Sequence, residues 1–156
     1  MLADLDIIEY ISKKISNYKI VLDPVMVATS GDVLVSDGVV TSIKNNLINK
    51  SFLITPNIYE AEILSENKIN CLEDQIEAGK NLLKLGCKHV LVKGGHGNSD
   101  IINDVLITSS GDEYIFDSKK IISKNTHGTG CSLASAIATN IGPVSYTHLT
   151  LPTSVT

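Results

Sequence analysis

The chain has 156 residues, no tryptophan, only three cysteines, and no apolar run near the ~18 residues that a membrane-spanning helix needs. The cysteines lie far apart without any Cys-x-x-Cys pair, which argues against a disulfide framework and a zinc site. The net charge is −4 and no basic block occurs, so no nucleic-acid partner is expected. The first residues carry no positive segment typical of a secretory signal. Together these absences predict a cytoplasmic protein without a membrane partner.

Apolar strand patterns alternate with helical patterns along most of the chain. Helices are predicted over about 4–17, 38–48, 60–64, 72–85 and 130–141. Buried strands are predicted over 20–22, 52–55 and 89–93, and a hairpin over 104–108 and 113–117. Asp37 is the predicted N-cap of the second helix, and Gly86 the residue that ends the fourth. Such alternation is typical of an α/β fold, a mostly parallel sheet with helices on both faces.

Both ends of the chain depart from this pattern. No strand precedes the first helix, so the sheet is expected to lack its leading strands. The polar, threonine-rich residues after 142 carry no helical pattern and resemble translated adaptor read-through, with a genuine loop as the alternative. We therefore expect a partial domain over 1–141 and a non-native tail over 142–156.

The stretch at 125–136 is the most informative in the chain, because two glycines and a cysteine precede an apolar, small-residue helix. Glycines allow a ligand to approach the backbone closely. The free N–H groups at the start of a helix attract anions such as phosphate. The alternative is a glycine turn before a core helix, with Cys131 as a small buried side chain.

Polar residues follow each predicted buried strand. Asp23 follows the first strand, Asn57 and Glu60 follow the second, and Lys93 follows the third. Because ligands bind beyond the carboxyl ends of parallel strands, we expect Asp23, Glu60, Lys93 and Cys131 to surround one cavity. Carboxylates suit Mg²⁺, and a lysine with glycine amides suits a polyphosphate, so the set indicates phosphoryl transfer. Each residue also has an ordinary structural alternative as a turn residue, a helix carboxylate or a solvated strand end.

Four motifs in one order resemble the hydroxymethylpyrimidine/phosphomethylpyrimidine kinases of thiamine biosynthesis, in the ribokinase-like superfamily. The motifs are VLDPVMVA at 21–28, LITPN at 53–57, VLVKGGH at 90–96 and NTHGTGC at 125–131. The resemblance covers 1–141 and implies a ribokinase-like fold. It also implies ATP-dependent phosphorylation of an aminopyrimidine and then of its monophosphate, with ATP and Mg²⁺ as cofactors, in a homo-oligomeric enzyme.

The resemblance implies a role for each matching residue at the strand ends. Asp23 and Glu60 match the residues at the metal, and Glu60 forms the N-x-x-E element with Asn57. Asp23 and Val25 match positions near the substrate. Asn57 and Lys93 match positions near the nucleotide phosphates.

The glycine-rich motif carries the remaining implied roles. Thr126 matches a nucleotide-binding position, and Gly128, Thr129, Gly130 and Cys131 match the anion hole. Most of the superfamily has an aspartate as the base at the last of these positions, whereas this subgroup has cysteine. The resemblance leaves open whether Cys131 acts as the base or orients the substrate.

The resemblance begins inside the family's chain. The part that supplies the leading strands, a glycine-containing loop and a glutamine that recognises the pyrimidine has no counterpart here. We therefore expect a fragment that keeps the metal, phosphate and catalytic side of the kinase and is inactive by itself. The alternatives are a pyridoxal or pyridoxine kinase of the same fold, and a non-catalytic remnant that folds poorly or only binds nucleotide.

Overall fold

Strands and helices alternate through residues 4–15, 17–27, 32–95, 100–120 and 129–141, the parts of the chain that this computed structural model describes. The elements in chain order are α1 Leu5–Lys14, β1 Val21–Leu22, α2 Asp37–Asn46, a 3-10 helix Ile48–Lys50, β2 Leu53–Ile54, α3 Ile58–Ser65, α4 Leu72–Leu83, β3 His89–Val92, β4 Ile101–Thr108, β5 Glu113–Lys119 and α5 Thr129–Ile141. This order confirms the predicted alternation of strands and helices.

The five strands form one sheet in the order β1-β2-β3-β4-β5. β1, β2 and β3 pair in parallel, with Leu22 opposite Ile54 and Ile54 opposite Val90. β4 runs antiparallel to β3, and β5 runs antiparallel to β4. β1, β2, β3 and β5 therefore run in one direction and β4 runs in the other, which confirms the mostly parallel sheet. The antiparallel pair of β4 and β5 confirms the predicted hairpin.

Helices cover both faces of the sheet, as predicted. On one face α4 packs against β4 so closely that a Cβ built on Gly79 would lie 2.8 Å from Ile107 Cγ1. On the other face α5 lies over part of the sheet and leaves an apolar groove of about 370 Å³. The groove is lined by Phe52, Leu53, His89, Leu91, Leu106, Thr108, Phe116, Ile137 and Ile141. It contains none of the predicted site residues.

Several predicted helix boundaries are wrong by a few residues. Ser36, with extended backbone, is the N-cap of α2, whereas the predicted cap Asp37 lies inside the first turn, where its charge favours the positive helix end. α1 ends at Lys14, and the segment after α2 continues as a separate 3-10 helix. α4 ends at Leu83, and Gly86 stands just beyond it with φ +106°, a conformation that glycine adopts without strain.

Candidate functional site

Three strand ends meet at one carboxylate oxygen. Lys93 Nζ donates a hydrogen bond to Asp23 Oδ1 at 2.9 Å, and Thr55 Oγ1 donates to the same oxygen at 3.0 Å. Asp23, Thr55 and Lys93 directly follow β1, β2 and β3, respectively. Parallel pairing brings the carboxyl ends of these strands to one edge of the sheet. The Lys93 and Asp23 side chains are 16% and 13% exposed, so this ion pair is only partly screened by water.

Glu60 joins the same edge through the first turn of α3. Asn57 is the N-cap of this helix, and the two residues form a capping box with reciprocal hydrogen bonds of 2.9 Å. Glu60 Oε1 also accepts the backbone N–H of Met26 at 3.3 Å. Glu60 is 2% exposed, so its carboxylate is held inside the protein between α3 and the loop after β1.

The charged groups of this edge influence one another. Burial raises the pKa of the Glu60 carboxyl above its ordinary value, and the hydrogen bond from Asn57 opposes this shift. The positive charge of Lys93 also lowers the Glu60 pKa, and the negative charge of Asp23 raises it. Two carboxyl groups thus lie near one ammonium group, an arrangement suited to an additional cation.

The N-terminus of α5 approaches this ion pair. A Cβ built on Gly130 would lie 2.9 Å from Lys93 Nζ and 3.7 Å from Asp23 Oδ2, so only glycine allows the backbone this close without displacing Lys93. Cys131, the next residue, is exposed, which does not fit the alternative of a buried core cysteine. Thr129 and Val25 are also exposed.

The predicted site residues are thus only partly visible together. Asp23, Asn57, Glu60, Lys93 and Gly130 lie at one edge, whereas Thr126 and Gly128 fall outside the described residues. Within the described ranges, no group of three or more histidine, cysteine, aspartate or glutamate side chains forms a metal cluster. Mg²⁺ typically keeps several waters and takes one or two protein carboxylates, the donor type that Asp23 and Glu60 supply at this edge.

Two polar residues that support the site were not predicted from the sequence. The first is Thr55, which lies within the LITPN motif without any residue pattern that marks its partner. The second is Gln75 in α4, whose Nε2 donates to the carbonyls of Val92 and Asn103 at 3.0 and 2.9 Å. Gln75 thereby ties the end of β3 to β4 immediately before Lys93.

Gly94 completes this junction. Its N–H donates to Asp104 Oδ1 at 2.8 Å, and a Cβ built there would lie 2.1 Å from the Asn103 carbonyl oxygen. Only glycine fits between the two strands at this point. Backbone packing and hydrogen bonds therefore both hold Gly94, the residue directly after Lys93, in place.

Among the described helices, none has the length and apolar character needed to cross a membrane.

Comparisons with known proteins show which family the chain resembles. The family model described as phosphomethylpyrimidine kinase matches residues 1–151. The hydroxymethylpyrimidine/phosphomethylpyrimidine kinase of Escherichia coli (strain K12) is 41% identical over 142 residues, which cover 88% of this chain and 53% of the relative. The chain thus spans about half the length of this relative.

The chain is also similar to solved structures, among them two kinases. The chain is similar to a phosphomethylpyrimidine kinase from Clostridium difficile 630, with 32% identity and a TM-score of 0.75 over 90% of this chain and 57% of that one. It is also similar to a Bacillus subtilis pyridoxal kinase in complex with ADP, with 31% identity and a TM-score of 0.81 over 90% of this chain and 54% of that one. These similarities confirm the ribokinase-like architecture expected from the motifs.

Proposed function

The chain belongs to the phosphomethylpyrimidine kinase family, and we propose that it forms the metal- and phosphate-binding side of an ATP-dependent kinase. The proposed substrates are 4-amino-5-hydroxymethyl-2-methylpyrimidine and then its monophosphate. The observation that carries the proposal is the Lys93–Asp23 ion pair beside the N-terminus of α5 and the buried Glu60. This cluster combines a cation, two carboxylates and the N-terminus of α5 at one sheet edge.

Phosphoryl transfer depends mainly on positioning and on neutralising the charge of the phosphates. Lys93 and the N-terminal N–H groups of α5 supply positive potential on the side where the phosphates would bind. Asp23 and Glu60 would hold Mg²⁺, which supplies further charge neutralisation when it is bound. Asn57, the N-cap of α3, stands beside Glu60 and would lie near the nucleotide, as would Thr126.

The remaining implied residues concern the acceptor substrate. Val25 is exposed two residues after Asp23 and would pack near the pyrimidine. Gly128, Thr129 and Gly130 would form the anion hole with their backbone N–H groups. Cys131, exposed in the first turn of α5, would accept the proton of the hydroxymethyl group or orient that group.

We also propose that residues 1–141 are one part of a longer kinase domain. The similarity to the curated relative covers 53% of its length. In the described structure β1 pairs only with β2, which leaves its other edge available for strands from the rest of a longer chain. A cytoplasmic, homo-oligomeric enzyme remains part of this proposal.

Pyridoxal kinase activity is the second candidate, because the Bacillus subtilis pyridoxal kinase superposes with a TM-score of 0.81. A chimera separates the two candidates. In it, the E. coli relative supplies the residues that precede its matched region, and residues 1–141 of this chain follow. The two pyrimidine substrates, pyridoxal and pyridoxine are then assayed with ATP.

We expect saturable phosphorylation of the pyrimidines and a loss of about 10²-fold or more in kcat for Lys93→Ala, because a preorganised charge at the phosphates is removed. Lys88→Ala is the matched control and should retain activity, because Lys88 lies at the amino end of β3, away from the carboxyl ends of the strands. A preference for pyridoxal would favour the second candidate. A folded chimera that binds ADP without phosphorylating any of the four compounds would contradict both.

A further inference from the structure

Thr55 is a fully buried residue whose hydroxyl has a charged partner. It follows β2, is 0% exposed, and donates through Oγ1 to Asp23 Oδ1 at 3.0 Å. Its backbone N–H donates to the carbonyl of Leu22 at 3.0 Å. Thr55 is therefore hydrogen-bonded to the end of β1 twice, through its main chain to Leu22 and through its side chain to Asp23.

The two donors to Asp23 from the described residues end on the same oxygen. Lys93 Nζ and Thr55 Oγ1 both contact Oδ1, at 2.9 and 3.0 Å. Oδ2 lies on the side of α5, 3.7 Å from the position of a Cβ on Gly130. Because each carboxylate oxygen accepts about two hydrogen bonds, these two donors fill Oδ1, and any further partner of Asp23 must bind through Oδ2, on the side of α5.

We propose that Thr55 is a positioning residue that fixes the plane of the Asp23 carboxylate, so that Oδ2 is presented toward the metal–nucleotide complex. This inference rests on the proposed function for the identity of the ligand. Lys93 alone fixes the plane of the carboxylate less firmly than Thr55 does, because its ammonium group lies at the end of a long, flexible side chain. Thr55, by contrast, is rigid at χ1 and anchored by its own backbone hydrogen bond.

The proposal is tested in the full 156-residue chain with Thr55→Val and Thr55→Ser. Valine keeps the shape but removes the donor, and serine keeps the donor. ADP binding is measured by calorimetry with and without Mg²⁺, and crystal structures of wild type and Thr55→Val are compared. We expect Thr55→Val to weaken the Mg²⁺-dependent part of ADP binding about 10- to 100-fold and to turn the Asp23 carboxylate. Thr55→Ser should keep the wild-type Mg²⁺ dependence and the wild-type orientation of the Asp23 carboxylate.

Ser51→Ala is the matched control, since Ser51 is also buried and donates to the Leu47 carbonyl, away from Asp23. It should lower stability without changing the Mg²⁺ dependence. Unchanged Mg²⁺-dependent binding in folded Thr55→Val, or an unchanged Asp23 orientation, would overturn the proposal. If Thr55→Val does not fold, Lys93→Met serves instead: Thr55 should hold the carboxylate orientation alone, and a turned carboxylate would overturn the proposal.

A failure of the proposed function can be distinguished from a failure of the proposal for Thr55. If the wild-type chain binds no ADP with or without Mg²⁺, that result counts against the nucleotide site. The orientation of Asp23 in the ligand-free structures still decides the role of Thr55, because this measurement needs no ligand and no activity.

Discussion

The carboxylate of Glu60 accepts the backbone N–H of Met26 at 3.3 Å, which joins the first turn of α3 to the loop after β1. The other oxygen of Glu60 accepts the N–H of Asn57 at 2.9 Å. Glu60 therefore has both oxygens engaged while it is 2% exposed. A buried carboxylate in this position connects the local stability of the loop to its own protonation state.

The first prediction concerns the pH dependence of stability. Burial places the pKa of Glu60 in the folded protein above that in the unfolded chain, so the folded state binds more protons between the two values. The stability from the neutral form is present below the unfolded pKa and is lost as pH rises through the folded pKa. We expect wild type to lose unfolding free energy relative to Glu60→Gln across this window.

Urea denaturation at a series of pH values measures this difference. Glu62→Gln is the control, because the Glu62 pKa is lowered in the folded protein, in part by Lys68, so its stability contribution changes with pH in the opposite direction. A difference between wild type and Glu60→Gln that stays constant from the ordinary carboxyl pKa upward would contradict the prediction.

The second prediction concerns the approach of α5 to the ion pair. In Gly130→Ala the new Cβ would lie 2.9 Å from Lys93 Nζ, so the ammonium group must move and the hydrogen bond to Asp23 weakens. We expect ADP affinity to fall about tenfold or more, since a hydrogen bond between charged groups is perturbed. Gly38→Ala is the control, because its Cβ would contact only Ser36 Oγ at 3.9 Å. Equal affinities for the two variants in calorimetry would refute the expectation.

The third prediction concerns Cys131 in the chimera. If Cys131 accepts or orients the substrate proton, Cys131→Ala should lower kcat by a factor on the order of 10² to 10⁴. The affinity for ATP should change little, because a proton-transfer group is lost while the phosphate-binding groups remain. Cys71→Ala removes another exposed cysteine and is the control. Turnover near wild type in Cys131→Ala would show that the backbone N–H groups suffice.

The fourth prediction concerns the 156-residue chain alone. It spans about half of its curated relative, and the resemblance places the segment that recognises the pyrimidine outside this sequence. Because proximity and orientation contribute ~7–11 kcal/mol to lowering a barrier, we expect no measurable pyrimidine kinase activity without that segment. A coupled assay with purified chain and hydroxymethylpyrimidine tests this. Saturable, ATP-dependent phosphorylation by the chain alone would contradict it.

Much of the fold was predictable from local patterns. The periodic apolar residues of α4, the glycine at 86 and the turn between β4 and β5 depend on residues a few positions apart, so one sequence carries the information. Helix boundaries were less accurate. Ser36 rather than Asp37 became the N-cap, because the backbone conformation of adjacent residues, and not residue type alone, decides which one precedes the first turn.

The sequence by itself determined which residues lie at the carboxyl ends of the strands, since a strand ends where its apolar run ends. Only the tertiary structure decided that Thr55 and Lys93, 32 and 70 residues from Asp23, meet on the same carboxylate oxygen. It also decided that Glu60 is buried and that Cys131 is exposed. These properties depend on strand order, register and helix placement, which arise from contacts between distant segments and leave no local pattern in the chain.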